Sequence, residues 1–148
     1  MSDLLYNKKA GFNYEISDTL VAGIELLGFE VKSLRAKQGS LDGSYVTVRG
    51  GEAFLVGAQI PPFQQNNTPK EYVPRRERRL LLTKREIASL TGQKSKAGLT
   101  AVPISVYNVG RKIKVKIGLA RNKKKFDKRE TIKKRDVNRD IRREFKGR

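Results

Sequence analysis

The residues of this chain with the most evident chemistry are its lysines and arginines. Of the 148 residues, 33 are Lys or Arg and 15 are Asp or Glu, which gives a formal net charge of +18 at pH 7. Each phosphate neutralised by such a side chain releases condensed counterions, so this excess indicates a polyanionic partner. The chain has no His and no Cys, and therefore lacks the usual zinc ligands and any thiol nucleophile. We predict a binding protein that is not an enzyme and needs no metal or cofactor.

The positive charge is densest in the last 28 residues. Residues 121–148 contain fourteen basic and five acidic side chains, a net charge of +9, and residues 1–120 carry the other +9. Val137, Ile141 and Phe145 recur every four residues, which permits a helix with a thin apolar stripe. Like charges and few apolar side chains make such a helix marginal in isolation. We predict a folded domain over 1–120 and a basic tail over 121–148, disordered when free and helical on a partner; a merely solubilising tail is the alternative.

The cellular location is predicted from what the sequence lacks. No apolar run approaches the roughly 18 residues that span a bilayer, and no signal-peptide pattern opens the chain. The absence of cysteine excludes disulfides and is consistent with a reducing compartment. We expect a cytoplasmic protein with no membrane partner.

Strand patterns dominate residues 1–120 and must position the charged groups. In the stretch 112–117, Ile113, Val115 and Ile117 alternate with three lysines, so one side of a strand is core and the other is a row of ammonium groups. That row is either a solvated surface or a binding surface. A hairpin of residues 44–49 with 52–58 is predicted at Gly50-Gly51, where two β-rich runs meet.

Two helices are predicted among the strands. The segment "EVKSLRAKQG" fits a short helix that ends at Gly39. Thr83 and Glu86 have the spacing of a capping box, which predicts a helix that begins there and ends at Gly92.

The order of these elements predicts the fold class. Starting from "FNYEI", we count five or six strands with the capped helix between the third and the fourth. This order is typical of a mainly β protein, a small closed Greek-key barrel similar to the OB fold, with the basic tail appended. A split β-sandwich would give a similar pattern.

Several stretches together resemble one known family. They include "NKKAGFNYEI", "AGIELLGFEVKSLRA", "SYVTVRGGEAFLVGAQI", "RRERRLLLTKREI", "GLTAVPISVY" and "KVKIGLARNKKKFDKRETIKKRD". Together they run from Asn7 almost to the end of the chain. The chain thus resembles the SsrA-binding, or small protein B, family, the bacterial partner of transfer-messenger RNA. The motifs G-x-E-V-K-S-L-R and K-K-x-x-D-K-R carry most of the resemblance.

The resemblance implies a function in trans-translation. The barrel would bind the transfer-RNA-like domain of transfer-messenger RNA as a monomer, in a 1:1 complex, and deliver this RNA to stalled ribosomes. The tail would enter the decoding centre of the small subunit and become helical along the empty mRNA channel.

The resemblance also places candidate residues on the matching motifs. The RNA-binding candidates are Asn7, Lys8, Gly23, Glu30, Lys32, Ser33, Arg35, Leu81 and Lys84. The ribosome-binding candidates in the tail are Lys123, Lys124, Phe126, Asp127, Lys128, Arg129, Lys133 and Lys134. Phe126 stands at the family's aromatic or His position, suited to stacking on a base. For Glu30 an internal salt bridge is an equal alternative, since acids seldom contact phosphate, and Leu81 could be a core residue.

Two positions depart from the family's pattern. Val21 stands before "A-G-I", where the family usually has an acidic residue implicated in RNA binding. Asn122 stands where a glycine is usual, which could alter how the tail swivels.

Two other functions remain open on the sequence. A basic ribosomal protein or a general RNA chaperone with an OB-type barrel would share the charge and the size. An RNA-processing enzyme would need paired carboxylates for Mg²⁺, such as Glu25 with Glu30 or Asp127 with Glu130, but neither pair lies in a recognisable motif.

Overall fold

Seven strands and three helices make up the part of the chain that the structure, a computed structural model, describes: residues 3–63 and 69–122. The strands are β1 (Asp3–Tyr6), β2 (Tyr14–Ile24), β3 (Tyr45–Arg49), β4 (Glu52–Val56), β5 (Arg78–Leu81), β6 (Thr100–Val109) and β7 (Lys112–Asn122). The helices are α1 (Lys8–Asn13), α2 (Gly28–Arg35) and α3 (Lys84–Ala97).

The strands form one antiparallel sheet that closes on itself. Their order is β1-β6-β3-β4-β5-β2-β7, and β7 also pairs with β6. Six strands therefore form a ring, and β1 is added outside it along β6. The prediction of a mainly β protein is confirmed.

The ring encloses the apolar core. Ile113, Val115 and Ile117 are buried, as their alternation with lysines predicts, and they pack with residues from other strands such as Val46 and Leu80. One side of β7 therefore faces the core, and its lysines are left to the outside of the ring.

The predicted position of the capped helix in the strand order is wrong. Helix α3 follows five described strands instead of three, because the sequence pattern missed β1 and β5. Both have only four residues, and both pair with strands that are distant in the chain. Strand β1 pairs with β6, and β5 pairs with β2 and β4. The segment "FNYEI" also begins as the end of α1, and the strand starts at Tyr14.

Local turn and cap chemistry agrees well with the structure. The hairpin of β3 and β4 is confirmed, with positive φ angles of 57° at Gly50 and 76° at Gly51. The capping box is also confirmed, since Thr83 Oγ1 accepts from the Glu86 N–H and Glu86 Oε1 accepts from the Thr83 N–H.

The predicted end of this helix at Gly92 is wrong, because α3 continues to Ala97 and Gly98 adopts the left-handed cap, with φ 63°. A glycine inside a helix costs only about 1 kcal/mol relative to alanine, so Gly92 does not end it.

Candidate nucleic-acid interface

An outward row of residues crosses β5, β2, β7 and β6. Gly23 lies opposite Leu81 on β5 and opposite Lys114 on β7, and Lys114 lies opposite Tyr107 on β6. Residues directly opposite in antiparallel strands point to the same side of the sheet. Because Val115, the neighbour of Lys114, is fully buried, this row faces away from the core.

A second outward row runs beside the first, two residues along each strand. Val21 lies opposite Lys116, Lys116 opposite Ser105, and Ser105 opposite Tyr6 on β1. The two rows form one surface, here called the lysine face. It consists of Tyr6, Val21, Gly23, Leu81, Ser105, Tyr107, Lys114 and Lys116, with Asp3, which lies opposite Tyr107, at its β1 edge.

The lysines of this face are not neutralised within the sheet. Among residues 3–63 and 69–122, no carboxylate lies within salt-bridge distance of Lys114 or Lys116. Tyr107 lies opposite Lys114, and Tyr6, which is 59% exposed, lies opposite Ser105, the partner of Lys116. Surfaces that bind single-stranded RNA usually combine aromatic rings that stack on bases with cations that follow the RNA backbone.

Three predicted RNA-binding residues lie together at the edge of the lysine face: Gly23, Leu81 and Lys84. A Cβ atom at Gly23 would come within 3.2 Å of Leu81 Cβ, so any larger residue at this position would press on Leu81. Leu81 is 48% exposed, which excludes the core position that the sequence left open. Leu81 and Lys84 line a groove of about 640 Å³ beside the hairpin turn at Gly50.

Lys32 and Arg35 lie on the exposed side of α2, at the end of the ring where β6 turns into β7. Both side chains are exposed. Arg35 Nη2 donates to the carbonyl oxygen of Arg111 in that turn at 3.0 Å. These two candidates are therefore accessible to RNA but stand apart from Gly23 and Leu81.

Asn7 ties the start of α1 to β6. Its side chain is 5% exposed, Nδ2 donates to the Pro103 carbonyl at 2.9 Å, and its backbone N–H donates to the Ile104 carbonyl at 2.8 Å. The next residue, Lys8, is exposed. The structure therefore gives Asn7 a positioning role beside the lysine face, and Lys8 is the one of the pair that RNA can reach.

Glu30 lies inside the protein, at the centre of an ion cluster. Its side chain is fully buried, and Oε2 accepts from Arg78 Nη2 at 2.6 Å and from the Tyr72 hydroxyl at 2.8 Å. The guanidinium of Arg76 donates to both carboxylate oxygens, and the backbone N–H of Leu27 donates to Oε1. The internal salt bridge, which was the alternative for Glu30, is what the structure contains.

The cluster changes the proton affinity of its members. Burial alone raises the pKa of Glu30, but the hydrogen bonds from Arg76, the Leu27 N–H and Arg78 outweigh it, so that pKa lies below its usual value. Burial and the hydrogen bond to Glu30 raise the pKa of Tyr72 to about 12. At neutral pH the carboxylate is therefore charged, and the Tyr72 hydroxyl keeps its proton.

The position of Ser33 also differs from the prediction. Ser33 is fully buried, and its hydroxyl donates to the Pro61 carbonyl at 2.5 Å. Ser33 and Glu30 therefore fix α2 against the chain that follows β4, and neither side chain is exposed to solvent. In "E-V-K-S-L-R" the buried residues recur three to four positions apart because the segment is helical, with Lys32 and Arg35 on the solvent side.

Neither an acidic metal site nor a membrane helix was found in the described ranges. No group of three His, Cys, Asp or Glu residues there could hold a metal ion. Glu25 and Glu30, suggested as an Mg²⁺ pair, instead contact arginines, Arg79 for Glu25 and Arg76 with Arg78 for Glu30. In the same ranges, no helix is long and apolar enough to cross a membrane.

Comparison with known proteins agrees with the resemblance. The family model "SmpB protein" matches residues 4–147. This chain belongs to the SmpB family. It is 48% identical to the SsrA-binding protein of Elusimicrobium minutum (strain Pei191), over 95% of this chain and 89% of that protein. It is 49% identical to the SsrA-binding protein of Chlorobaculum tepidum, over 91% of this chain and 86% of that protein.

A solved structure of an SmpB protein is also similar. It is described as "tmRNA-SmpB: a journey to the center of the bacterial ribosome", with a TM-score of 0.68 and 43% sequence identity. The match covers 82% of this chain and 85% of that chain. The family membership and the fold similarity therefore extend over most of the described residues.

The tail candidates of this SmpB protein lie outside the described residues. This applies to Lys123, Lys124, Phe126, Asp127, Lys128, Arg129, Lys133 and Lys134. The last described strand ends at Asn122, where Arg121 forms a salt bridge with Glu15 at 2.7 Å.

The main residues that the sequence missed as candidates are Lys114, Lys116, Tyr6 and Tyr107. The alternation in β7 did predict a row of lysines, but it could not tell a solvated surface from a binding one. Tyr6 and Tyr107 join that row only through the pairing of β1 and β7 with β6, which no local pattern encodes.

Proposed function

We propose that this protein binds the transfer-RNA-like domain of transfer-messenger RNA and brings it to stalled ribosomes in trans-translation. SmpB is a family of RNA-binding proteins, and the similar solved structure is described as a tmRNA-SmpB assembly at the bacterial ribosome. The observation that carries the RNA contact is the lysine face, where Lys114 lies opposite Tyr107 and Lys116 lies opposite the exposed Val21. The protein would act in the cytoplasm, as a monomer in a 1:1 complex with the RNA.

The lysine face would bind mainly through charge, with the exposed cations of α2 as a second contact. Phosphates near Lys114 and Lys116 would release counterions, and Leu81 and the tyrosine rings would contact sugars and bases. Lys32 and Arg35 would contact the backbone at the end of the ring, and Lys8 and Lys84 at its edges. Gly23 and Asn7 would act by keeping the strands in place.

The tail would act on the ribosome. Its cations would gain attraction in a channel walled by ribosomal RNA phosphates, where Phe126 would stack on a base of the decoding centre and the following segment would become helical. Asp127, Lys128 and Arg129 belong to the same motif.

The ring of six strands is proposed to be a closed barrel of the OB type. A small closed antiparallel ring with a helix between strands is the architecture in which OB folds present a sheet face to nucleic acid. Residues 1–120 were predicted to fold as this domain. Since β7 runs to Asn122, a truncation meant to keep the sheet intact should retain residues 1–122.

Competition binding tests the RNA specificity. The full chain should prefer transfer-messenger RNA over total transfer RNA at several salt concentrations, with an affinity that falls as salt rises by a log–log slope of about 0.7–0.9 per neutralised phosphate. Equal binding to all structured RNAs would instead favour a general RNA chaperone or a ribosomal protein.

Deletion of residues 123–148 tests the tail. Binding to transfer-messenger RNA should remain nearly intact, while tagging of peptides on stalled ribosomes in a purified translation system should be abolished. Parallel loss of binding and tagging would mean that the tail belongs to the RNA-binding surface instead.

A further inference from the structure

A groove at one edge of the lysine face combines features that suit a single nucleobase. It lies where β1, β2, β6 and β7 meet, with a volume of about 450 Å³, inside the range of about 300–1,000 Å³ typical of small-ligand sites. Its lining residues are Asp3, Tyr6, Val21, Ile104, Ser105, Tyr107 and Lys116. None of them was among the predicted RNA-binding candidates.

The surfaces of the groove are apolar and aromatic. Tyr6 and Val21 are 59% and 47% exposed, although both lie on paired strands. The larger groove beside α3 has no aromatic side chain among its lining residues, and its charged groups include Glu52 and Glu86. Aromatic rings are the usual stacking partners of bases, so the smaller groove is the better candidate.

The charges of the groove give a bound nucleotide one orientation. Lys116 stands on one side, with no carboxylate within salt-bridge distance in the described ranges, and Asp3 stands at β1. A phosphate is attracted to Lys116 and repelled by Asp3, whereas the amino or imino edge of a base can donate to the Asp3 carboxylate. The backbone is therefore expected on the β7 side and the base on the β1 side.

We propose that this groove binds one unstacked nucleobase from a single-stranded loop of the RNA, with the ring of Tyr6 as the stacking platform. The proposal rests on the proposed function, because it takes the RNA backbone to lie along Lys114 and Lys116. It narrows the proposed contact of the tyrosine rings with bases to one ring, one groove and one base.

An abasic scan combined with Tyr6 variants tests the groove. The probe is the transfer-RNA-like domain with one unpaired base removed at a time. Tyr6→Ala should weaken binding of the intact RNA by about 5- to 150-fold, the effect of removing one base stack, without changing the salt slope. Tyr6→Phe keeps the ring and should bind like the wild type, and so should Tyr45→Ala, which removes a similarly exposed tyrosine from β3.

The identity of the bound base follows from a double-mutant cycle. At one position, loss of the base should weaken binding to the wild type but not to Tyr6→Ala. Equal losses for both proteins at every position, or wild-type affinity of Tyr6→Ala, would overturn the proposal.

A second measurement does not depend on the folding of Tyr6→Ala. The chain has five tyrosines, so fluorine NMR of the 3-fluorotyrosine-labelled wild type can follow each ring once Tyr→Phe variants have assigned the signals. The Tyr6 signal should move with intact RNA and not with the matching abasic RNA, while the Tyr45 signal stays. An unmoved Tyr6 signal contradicts the groove. If the wild type shows no preference for the transfer-RNA-like domain, yet the Tyr6 signal moves with a short single-stranded RNA, the groove stands and the proposed function fails.

Discussion

Two regions of this protein hold cations in opposite ways. In the buried cluster, Arg78 has no exposed surface and donates to Glu30, to the Tyr72 hydroxyl and to the Ala58 carbonyl, so its donors are satisfied from within. On the lysine face, Lys114 and Lys116 have no acidic partner among the residues the structure describes.

The difference separates stability from binding. A buried guanidinium is tolerated only where hydrogen bonds and an opposite charge offset its desolvation, so the cluster fixes α2 to β5. Surface lysines without a carboxylate partner add repulsion to a chain of net charge +18, and an external polyanion relieves it. Arg49 and Arg79 lie between these extremes, on the outer side of β3 to β5, with surface partners in Glu77, Glu25 and Glu52.

The largest expected effect comes from breaking the buried cluster. Glu30→Gln leaves Arg78 buried without its counter-charge and should lower the free energy of unfolding by about 3–5 kcal/mol. Chemical denaturation of both proteins at neutral pH measures this. A loss below about 1 kcal/mol would show that the cluster does not hold α2, and the contrast between the two regions would fail.

The same variant has a predicted pH signature. The pKa of Glu30 is lower in the folded protein than its ordinary value of 4.5, so its contribution is fully present above pH 4.5 and is lost as the pH falls through the folded pKa. The wild type should therefore lose more stability than Glu30→Gln on acidification below pH 4.5. Parallel curves for the two proteins would contradict the assignment.

The sequence predicts the lysine face better than it predicts the buried cluster. The alternation around Val115 predicts an outward lysine row, since strand periodicity is local. From the charged stretch "RRERR", Arg78 would be expected at the surface. Its burial depends on Glu30, which is distant in the sequence. The sequence also does not predict that Gly23 pairs with Leu81, since β5 is too short to give a pattern and the register is set by long-range pairing.

An intermediate effect is expected at the close approach of Gly23 to Leu81. Gly23→Ala places a methyl group 3.2 Å from Leu81 Cβ, so that Leu81 must shift to relieve the contact, and overpacking of this kind costs about 1–3 kcal/mol. The matched control is Gly11→Ala, where no atom lies within 4 Å of the added carbon. Thermal unfolding should show Gly23→Ala destabilised and Gly11→Ala not. Equal behaviour of the two would mean that the lysine face does not depend on this close approach.

The smallest effect is expected for the paired arginines of the outer surface. Arg49→Gln removes a salt bridge with Glu77 and an interaction with the Phe54 ring, 4.8 Å from its centroid. Both side chains of the pair are about half exposed, so the loss should be about 0.2–1 kcal/mol of stability. RNA affinity, measured by filter binding, should be nearly unchanged. A large loss of affinity would place RNA on this side of the ring.

The most direct test of the account compares the salt dependence of RNA binding for two variants. Lys116→Gln removes an unpaired cation of the lysine face, and Arg49→Gln removes the same charge from the paired surface. The lysine variant should lower the log–log slope by about 0.7–0.9 for each phosphate that is no longer neutralised, with unfolding unchanged, and the arginine variant should keep the wild-type slope. Equal slopes for the two variants would contradict the central claim that cations without internal partners mark the RNA-binding surface.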